Sequence, residues 1–263
     1  MLKKILLFLV VFTLVLSALS FFSKLRISDS DKDPLNIQTE IITSISSESN
    51  IEPPLLETVS FDNKILACLG DSITYTTAHG YVEYYPQTIE KCLGFKDSVN
   101  LGIAGSRVSS YYDVSPMCER YLEIPSNADV ITFLGGINDI YASVPLGTVD
   151  STDTNTFYGA LNAIAKGLTE NYPDAYIVFC TVLPANSYRD ADDLNGAGYS
   201  IVDLNNAIKV VASNYHIDVC DLYTLCGEWK ASNYDVDGDH PTQEFLKNTI
   251  AYNLADFIKY NYK

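Results

Sequence analysis

Five short apolar runs in the second part of the chain most constrain what it can fold into. Each is rich in Ile, Val, Leu or Phe at successive positions rather than at alternating ones. This pattern is typical of a strand that is covered on both faces, as in a parallel sheet. The runs occupy residues 64–70, 97–102, 129–136, 175–182 and 217–223.

Helical segments separate these runs, at about residues 80–93, 155–172 and 199–214 and after Pro241. In the second of them, apolar side chains recur every three or four positions and line one face. Because parallel strands need right-handed crossovers, the alternation places helices on both faces of the sheet. The sequence therefore predicts an α/β fold, a three-layer α/β/α sandwich around a five-stranded parallel sheet.

The first 26 residues predict a targeting or anchoring segment. Residues 5–22 carry no charge and follow two lysines, and this run is nearly long enough for a membrane helix. Ala18 and Ser20 are small residues that suit signal-peptide cleavage, so a cleaved signal peptide and a membrane anchor both stay open. The paired lysines favour a cytoplasmic N-terminus. We therefore expect the rest of the chain to be extracytoplasmic, secreted or tethered to the membrane by residues 5–22.

Residues 27–60 are interpreted as an acidic, Ser-rich linker, and residues 61–263 as the folded domain. The linker segment has seven acidic residues, one lysine and three prolines but no glycine. The whole chain carries a formal charge of −16, which repels phosphate backbones. Nucleic acid is therefore not an expected partner, and contact with a membrane is expected only through the N-terminal segment.

The sequence does not predict a metal site. The six cysteines contain no C-x-x-C pair, which disfavours a zinc cluster. Residues 235–239 are acidic, but a calcium loop starting at 235 would lack its glycine and glutamate at the sixth and twelfth positions. Cys220 and Cys226 are close enough in sequence to pair, and the sequence leaves the disulfide pattern open.

A candidate nucleophile follows the first apolar run, in Gly70-Asp71-Ser72-Ile73-Thr74. In an open parallel sheet, ligands bind beyond the carboxyl ends of the strands. A serine after a sharp glycine turn projects its hydroxyl there, at a helix start where amides face a developing negative charge. The alternative is that Asp71 or Ser72 only caps the next helix.

A serine hydroxyl needs a neighbouring base, usually a histidine that a carboxylate orients. His240 suits this role because Asp237, three residues earlier, can fold back to its Nδ1 atom. Asp239 is a second acid beside the imidazole, and the sequence does not decide whether it assists or competes with Asp237. His79 lies in a Tyr-rich loop, and His216 is expected at the opposite end of the sheet.

Two further strand ends carry residues that suit an oxyanion. Asn100-Leu101-Gly102-Ile103-Ala104-Gly105 follows the second run, where Gly102 would let a backbone N–H approach a substrate. Asn138, in Gly135-Gly136-Ile137-Asn138-Asp139, can donate from its side-chain amide to the same oxygen. Taken alone, each segment is equally typical of an ordinary turn.

In chain order the four segments GDSIT, NLGIAG, GGIND and DGDH resemble the SGNH, or GDSL-type, hydrolase family. The resemblance implies a flavodoxin-like sandwich for residues 61–263, as the catalytic domain. It also implies Ser72 as nucleophile, His240 as base and Asp237 as its orienter. The Ser72 backbone N–H, Gly102 and Asn138 would form the oxyanion hole, with no metal or organic cofactor.

By the same resemblance, the chain looks like an exported serine esterase that removes small acyl groups from carbohydrate through an acyl-enzyme. A lipase or thioesterase of this fold is the first alternative, and a non-catalytic surface domain for carbohydrate binding or adhesion is the second. The substrate partner would be a small-molecule or glycan ester, and the oligomeric state is left open. Aromatic residues that suit stacking on sugars, or packing in the core and rim, are Tyr75, Tyr81, Tyr84, Tyr85, Tyr111, Tyr112 and Tyr141.

Overall fold

A computed structural model describes residues 59–75 and 83–263 of the chain. The predicted signal or anchor segment, residues 27–58 of the predicted linker, and His79 and Tyr81 lie outside the described residues. Within the two described ranges, no helix has both the length and the apolar character needed to cross a bilayer.

The described residues form a five-stranded parallel sheet with strand order β2-β1-β3-β4-β5. This confirms the predicted α/β architecture. The chain adds β2 on one side of β1, and then adds β3, β4 and β5 on the other side. The strand order therefore reverses beside β1, and open α/β sheets bind their ligands at such a point. The strands are β1 Ile65–Gly70, β2 Asp97–Gly102, β3 Val130–Leu134, β4 Tyr176–Cys180 and β5 Asp218–Cys220.

Helices connect the strands and follow the last one. Two 3₁₀ turns, at Tyr121–Glu123 and Ala231–Asn233, accompany them. The final helix contains a π-helical segment, Leu246–Ala251, between α8 and α9. The helices are α1 Ser72–Tyr75, α2 Tyr85–Leu93, α3 Met117–Arg120, α4 Ile137–Tyr141, α5 Phe157–Asn171, α6 Ile201–Asn214, α7 Leu222–Cys226, α8 Gln243–Phe245 and α9 Tyr252–Asn261.

The two faces of the sheet belong to two separate hydrophobic clusters. Alternate side chains of a strand point to opposite faces, so Ala67 and Leu69 of β1 join one cluster and Leu66 and Cys68 join the other. The first cluster also contains buried side chains of α3, α5 and α6. The second contains those of α2, α7 and the C-terminal helix. The result is the predicted three-layer sandwich.

Several predicted element bounds were too long. The predicted strand 129–136 ends at Leu134, because Gly136 adopts a φ of 131° and begins the turn into α4. The predicted strand 217–223 ends at Cys220, because the Asp221 side chain accepts from Thr224 N and caps α7. The helix predicted at about 80–93 begins at Tyr85 and has a proline in its first turn.

All six cysteines are free thiols, so Cys220 and Cys226 form no disulfide. Cys180 and Cys220 face each other in register on adjacent strands and are buried. Tyr85 is likewise fully buried, so this member of the tyrosine group is a core residue and cannot stack on a sugar.

The described chain enters the domain at the amino end of the sheet. Phe61 is buried there, with ring centroids 4.7 Å from Phe95 and 5.2 Å from Tyr262. Tyr262 also contacts Tyr176, the first residue of β4, and Lys64, which precedes β1. Phe61, near the first described residue, and Tyr262, near the last one, therefore lie at the end of the sheet where the strands begin.

Gly102 ends β2 directly against the backbone of α1. A Cβ atom at this position would lie 2.3 Å from the backbone nitrogen of Tyr75, so that helix would have to move. We expect Gly102→Ala to destabilise the fold by about 1–3 kcal/mol through overpacking. Because α1 carries Ser72, it should also lower the ester hydrolysis that the family resemblance implies. Thermal unfolding and ester hydrolysis measure the two effects.

Gly94→Ala is the matched control for this variant. Gly94 has a φ of 74°, which a residue with a Cβ atom rarely adopts, but the added Cβ would meet open space. It should lose about 1–2 kcal/mol of stability and keep its turnover when folded. Wild-type turnover by Gly102→Ala would contradict the predicted displacement of α1.

Candidate active site

Ser72 lies just beyond the carboxyl end of β1, as the first residue of α1. The turn requires Gly70, because a Cβ atom there would overlap the Thr74 hydroxyl at 2.0 Å. Asp71 then accepts a hydrogen bond from Ile73 N at 2.9 Å, which stabilises the first turn of the helix. The Ser72 side chain is left at the edge of the sheet, with 9% of its surface exposed.

The structure brings Ser72, His240 and Asp237 into one hydrogen-bonded chain. His240 Nε2 is 2.8 Å from Ser72 Oγ, although 168 residues separate the two along the sequence. His240 Nδ1 is 2.7 Å from Asp237 Oδ2. A carboxylate at Nδ1 favours the tautomer with its proton there, so that Nε2 accepts from the serine hydroxyl. This is the order of contacts that a serine nucleophile requires.

Asp237 is held as an ionised acceptor. Its Oδ1 atom accepts from the backbone N–H groups of Asp239 at 2.9 Å and His240 at 3.0 Å. Burial opposes ionisation, but these two hydrogen bonds and the imidazole outweigh it and lower the pKa of Asp237 to about 2. The carboxylate therefore stays charged, and it orients the imidazole at any neutral or mildly acidic pH.

Asp239 takes no part in this chain through its side chain. Its Oδ1 atom accepts instead from Tyr141 OH at 2.6 Å and from Asn186 N at 3.2 Å. The sequence left open which of the two acids orients the imidazole. In the structure, the Asp237 side chain contacts the imidazole, and the Asp239 side chain contacts Tyr141 of α4.

Asn138 sits in the first turn of α4, where the side-chain amide reaches the loop after β2. Its Nδ2 atom donates to the carbonyl oxygen of Ser106 at 3.0 Å. A side-chain amide has two N–H donors, so this bond fixes its direction and leaves the second donor for a ligand.

The structure corrects the expectation for Gly102. Its backbone N–H already donates to Asn100 Oδ1 at 2.9 Å, so it is not a free donor for an oxyanion. Further along the same loop, the N–H groups of Ala104 and Gly105 have no acceptor among the described residues. Gly105 is exposed, has a φ of 76°, and directly precedes Ser106, which holds Asn138. Of the two glycines, Gly105 has the N–H without an acceptor among the described residues, and Gly102 provides close packing.

Arg120, which the sequence analysis did not single out, ties the strand ends together beneath the site. Its Nη1 atom donates to Leu101 O at 2.8 Å, and its Nη2 atom donates to Gly70 O at 3.0 Å. It also donates to Ser106 Oγ at 2.9 Å and to Ser115 O at 2.9 Å. Burial lowers the pKa of this guanidinium, since the charged group is removed from water. One buried side chain thus links β1, β2 and the loop that orients Asn138.

Two carboxyl groups are buried close to the site. Burial raises the pKa of Asp71 to about 7, partly offset by the hydrogen bond from Ile73 and the charge of His240. Burial likewise raises the pKa of Asp139 to about 6, although its oxygens accept from Val108 N at 2.8 Å and Ser109 N at 3.0 Å. Asp139 therefore holds the β2–α3 loop against α4, next to Asn138.

Several tyrosine rings in the segments that carry the site are exposed. Tyr75 at the end of α1 is 41% exposed, and Tyr141 at the end of α4 is 40% exposed. Tyr112, in the loop after β2, is 87% exposed and makes an edge contact with Tyr111. Tyr84 is half-buried. These rings are available at the surface, unlike the buried Tyr85.

No arrangement of three or more His, Cys, Asp or Glu side chains in the described part of the chain could hold a metal ion. The polar groups that meet at Ser72 are instead one imidazole, its carboxylate and N–H donors. Such a set can accept a proton from a hydroxyl and bind an oxygen that becomes negative.

Comparisons with known proteins identify a family and solved structures of the same fold. The GDSL-like lipase/acylhydrolase family matches residues 68–245. A protein from Lactobacillus plantarum of solved structure is 33% identical, with a TM-score of 0.68, over 78% of this chain and 100% of that one. No curated protein is similar enough in sequence to be matched.

Two more distant structures share the fold. A GDSL-like lipase from Bacteroides thetaiotaomicron is 20% identical, with a TM-score of 0.54, over 84% of this chain and 97% of that one. A carbohydrate acetylesterase family member from Sinorhizobium meliloti is 16% identical, also with a TM-score of 0.54, over 75% of this chain and 98% of that one.

The raised pKa of Asp71 predicts a pH-dependent cost in stability. Its native pKa of about 7 exceeds the ordinary aspartate value of 3.8, so the native state binds more protons than the unfolded chain between these values. Its contribution to stability therefore declines as pH rises from about 4 to 7. Asp71→Asn keeps an acceptor for Ile73 N but cannot ionise. We expect the free energy of unfolding of Asp71→Asn, measured relative to that of the wild type, to be higher at about pH 8 than at about pH 5.

Denaturant unfolding at the two pH values measures this gain. Asp174→Asn, at an exposed position, corrects for the general effect of removing one negative charge. A difference between Asp71→Asn and the wild type that stays the same at both pH values would rule out ionisation of a buried Asp71.

Proposed function

The chain belongs to the GDSL-like lipase/acylhydrolase family, and we propose that it is an exported serine esterase that removes small acyl groups from carbohydrate. The single observation that carries this proposal is the position of the His240 imidazole. It lies within hydrogen-bond distance of both Ser72 Oγ and the Asp237 carboxylate. Family membership supports ester hydrolysis, and the hydrogen-bonded chain supports serine as the attacking group.

In the proposed mechanism, Ser72 Oγ attacks the ester carbonyl while His240 Nε2 takes the hydroxyl proton. The new C–O bond pushes the carbonyl electrons onto oxygen. The alkoxy group then leaves as an alcohol with the proton that His240 held, and an acyl-enzyme remains. Water attacks this ester in the same way, with His240 again as base, and releases the acid and the serine.

The negative oxygen of each tetrahedral intermediate needs donors aimed at it. We assign this role to the Ser72 backbone N–H, the free Nδ2 hydrogen of Asn138 and the N–H of Gly105. Asn138 is fixed by Ser106 before the substrate arrives, so its alignment costs nothing during the reaction. Removal of one such donor typically costs roughly 100-fold in rate.

Carbohydrate is proposed as the alcohol part because exposed tyrosine rings lie in the segments that carry the site. Tyr75 and Tyr112 offer flat rings with a hydroxyl, which suit both stacking on a sugar and hydrogen bonding to it, and Tyr141 offers the face of its ring. The Sinorhizobium meliloti structure is that of a carbohydrate acetylesterase family member, which supports the same choice. The Bacteroides thetaiotaomicron lipase supports the alternative, a lipid ester.

Export is part of the proposal and rests on the sequence of residues 1–26. The uncharged run after two lysines would direct the chain out of the cytoplasm, as a cleaved signal peptide or as an anchor. The acidic segment 27–60 would then separate the catalytic domain from the membrane.

Ser72→Ala tests the proposed nucleophile. We expect it to lower kcat by at least roughly 1,000-fold and to abolish labelling by a fluorophosphonate, because alanine has no hydroxyl to attack the carbonyl or the phosphorus. Its unfolding midpoint should stay close to that of the wild type. Ser213→Ala, on the exposed side of α6, is the control and should keep both turnover and labelling. Turnover or labelling retained by Ser72→Ala would remove Ser72 from the mechanism.

A substrate panel tests the proposed acyl and alcohol groups. We expect kcat/KM to be higher on p-nitrophenyl acetate than on the palmitate ester, and acetate to be released from acetylated xylan. A preference for the long acyl chain would instead favour a lipase. Binding of xylan without turnover or labelling would favour a non-catalytic carbohydrate-binding domain.

A further inference from the structure

The short helix α4 carries two polar side chains that serve different parts of the site. Asn138 lies in its first turn and points to the loop after β2. Tyr141 is three residues later, so it projects from nearly the same side of the helix. Its hydroxyl donates to Asp239 Oδ1 at 2.6 Å, across 98 residues of sequence.

Asp239 is held through both its side chain and its backbone. Its side chain accepts from Tyr141 and from Asn186 N, while its backbone N–H donates to Asp237 Oδ1 at 2.9 Å. Asp237 in turn holds the imidazole of the next residue, His240. A displacement of Asp239 therefore acts on the carboxylate that orients the base and on the backbone from which the base projects.

The other supports of this loop come from different elements. The carbonyl oxygen of Gly238 accepts from Asn186 N at 3.1 Å and from Trp229 Nε1 at 2.9 Å. These bonds attach the loop to the segment after β4 and to the segment after α7. The Tyr141 bond differs because it attaches the loop to the helix that presents Asn138.

On this basis we propose that Tyr141 is a positioning residue, whose hydroxyl holds the His240 loop against α4 and so sets the base relative to the Asn138 donor. This inference rests on the proposed function, since it concerns how that site is assembled. Proton transfer and oxyanion binding act on atoms of the same tetrahedral centre. A shift of one group against the other by even about 1 Å can cost 100-fold in rate.

The proposal separates two uses of the phenol. A ring that contacts substrate would act on binding, and its hydroxyl would affect KM. A hydroxyl that positions the base would act on the chemical step, and its removal would lower kcat with little change in KM.

Tyr141→Phe keeps the ring and removes only the hydroxyl. We expect kcat on p-nitrophenyl acetate to fall by about 10-fold, with KM within twofold of the wild type. The second-order rate of fluorophosphonate labelling, which needs the activated serine but no particular substrate, should fall by a similar factor.

Tyr176→Phe is a matched control within the same chain. Tyr176 OH donates to Asp218 Oδ2 at 2.9 Å, a bond of the same kind at the opposite end of the sheet. Both variants lose one tyrosine–aspartate hydrogen bond, so their unfolding midpoints should fall by similar amounts. Only Tyr141→Phe should lose turnover and labelling rate.

A double-mutant cycle with Asp239→Ala tests whether the effect passes through Asp239. Asp239→Ala should lower kcat about as much as Tyr141→Phe, and the double variant should be no worse than either one. The inference is overturned by equal kcat in Tyr141→Phe and Tyr176→Phe, by a rise in KM at unchanged kcat, or by multiplied losses in the double variant. A wild-type protein without turnover or labelling would refute the proposed function itself, and the inference with it.

Discussion

The parallel register of β1, β2 and β3 is the constraint on which the rest of the site depends. Gly70 pairs with Gly102 on one side and with Leu134 on the other, so the three strands end level with one another. The chain leaves all three at the same edge of the sheet. Each exit then supplies one component: the serine after β1, the loop amides after β2 and the Asn138 amide after β3. His240 arrives at this edge from the loop before the C-terminal helix.

Buried polar groups hold the segments that leave β1, β2 and β3 in place. Removing these groups from water costs free energy, which their hydrogen bonds offset. Arg120 has no direct salt bridge among the described residues, and its donors are satisfied by carbonyl and hydroxyl oxygens of the strand ends and the adjoining loop. Asp139 binds two backbone N–H groups of the same loop from the other side. A buried charge bonded in this way resists small displacements, because each movement would leave a donor or acceptor without a partner. Hydrogen-bonded polar groups therefore connect the segments that carry Ser72 and Asn138.

The sequence predicted the sheet and the approach of His240 to Ser72 and Asp237, for physical reasons that can be named. A continuous apolar run directly indicates a strand that is buried on both faces. The contact between Asp237 and His240 joins residues only three positions apart in sequence. The donor after β2 could not be predicted, because the direction of an N–H depends on backbone angles such as the positive φ of Gly105. Short helices of four or five residues have too few turns for a periodic pattern to show. The sequence analysis missed Arg120 and named Tyr141 only as an aromatic ring, because the hydrogen-bond partners of both lie far away in sequence and share no motif with them.

The burial of Phe61 against Phe95 and Tyr262 places both of the segments that contain Phe61 and Tyr262 at the same end of the sheet. Phe61 and Tyr262 lie at the pole where the strands begin, and Ser72 lies at the pole where β1 ends. A tag or an immobilising surface attached at Lys263, which adjoins Tyr176 and Asp218, would therefore contact the domain on the side away from Ser72.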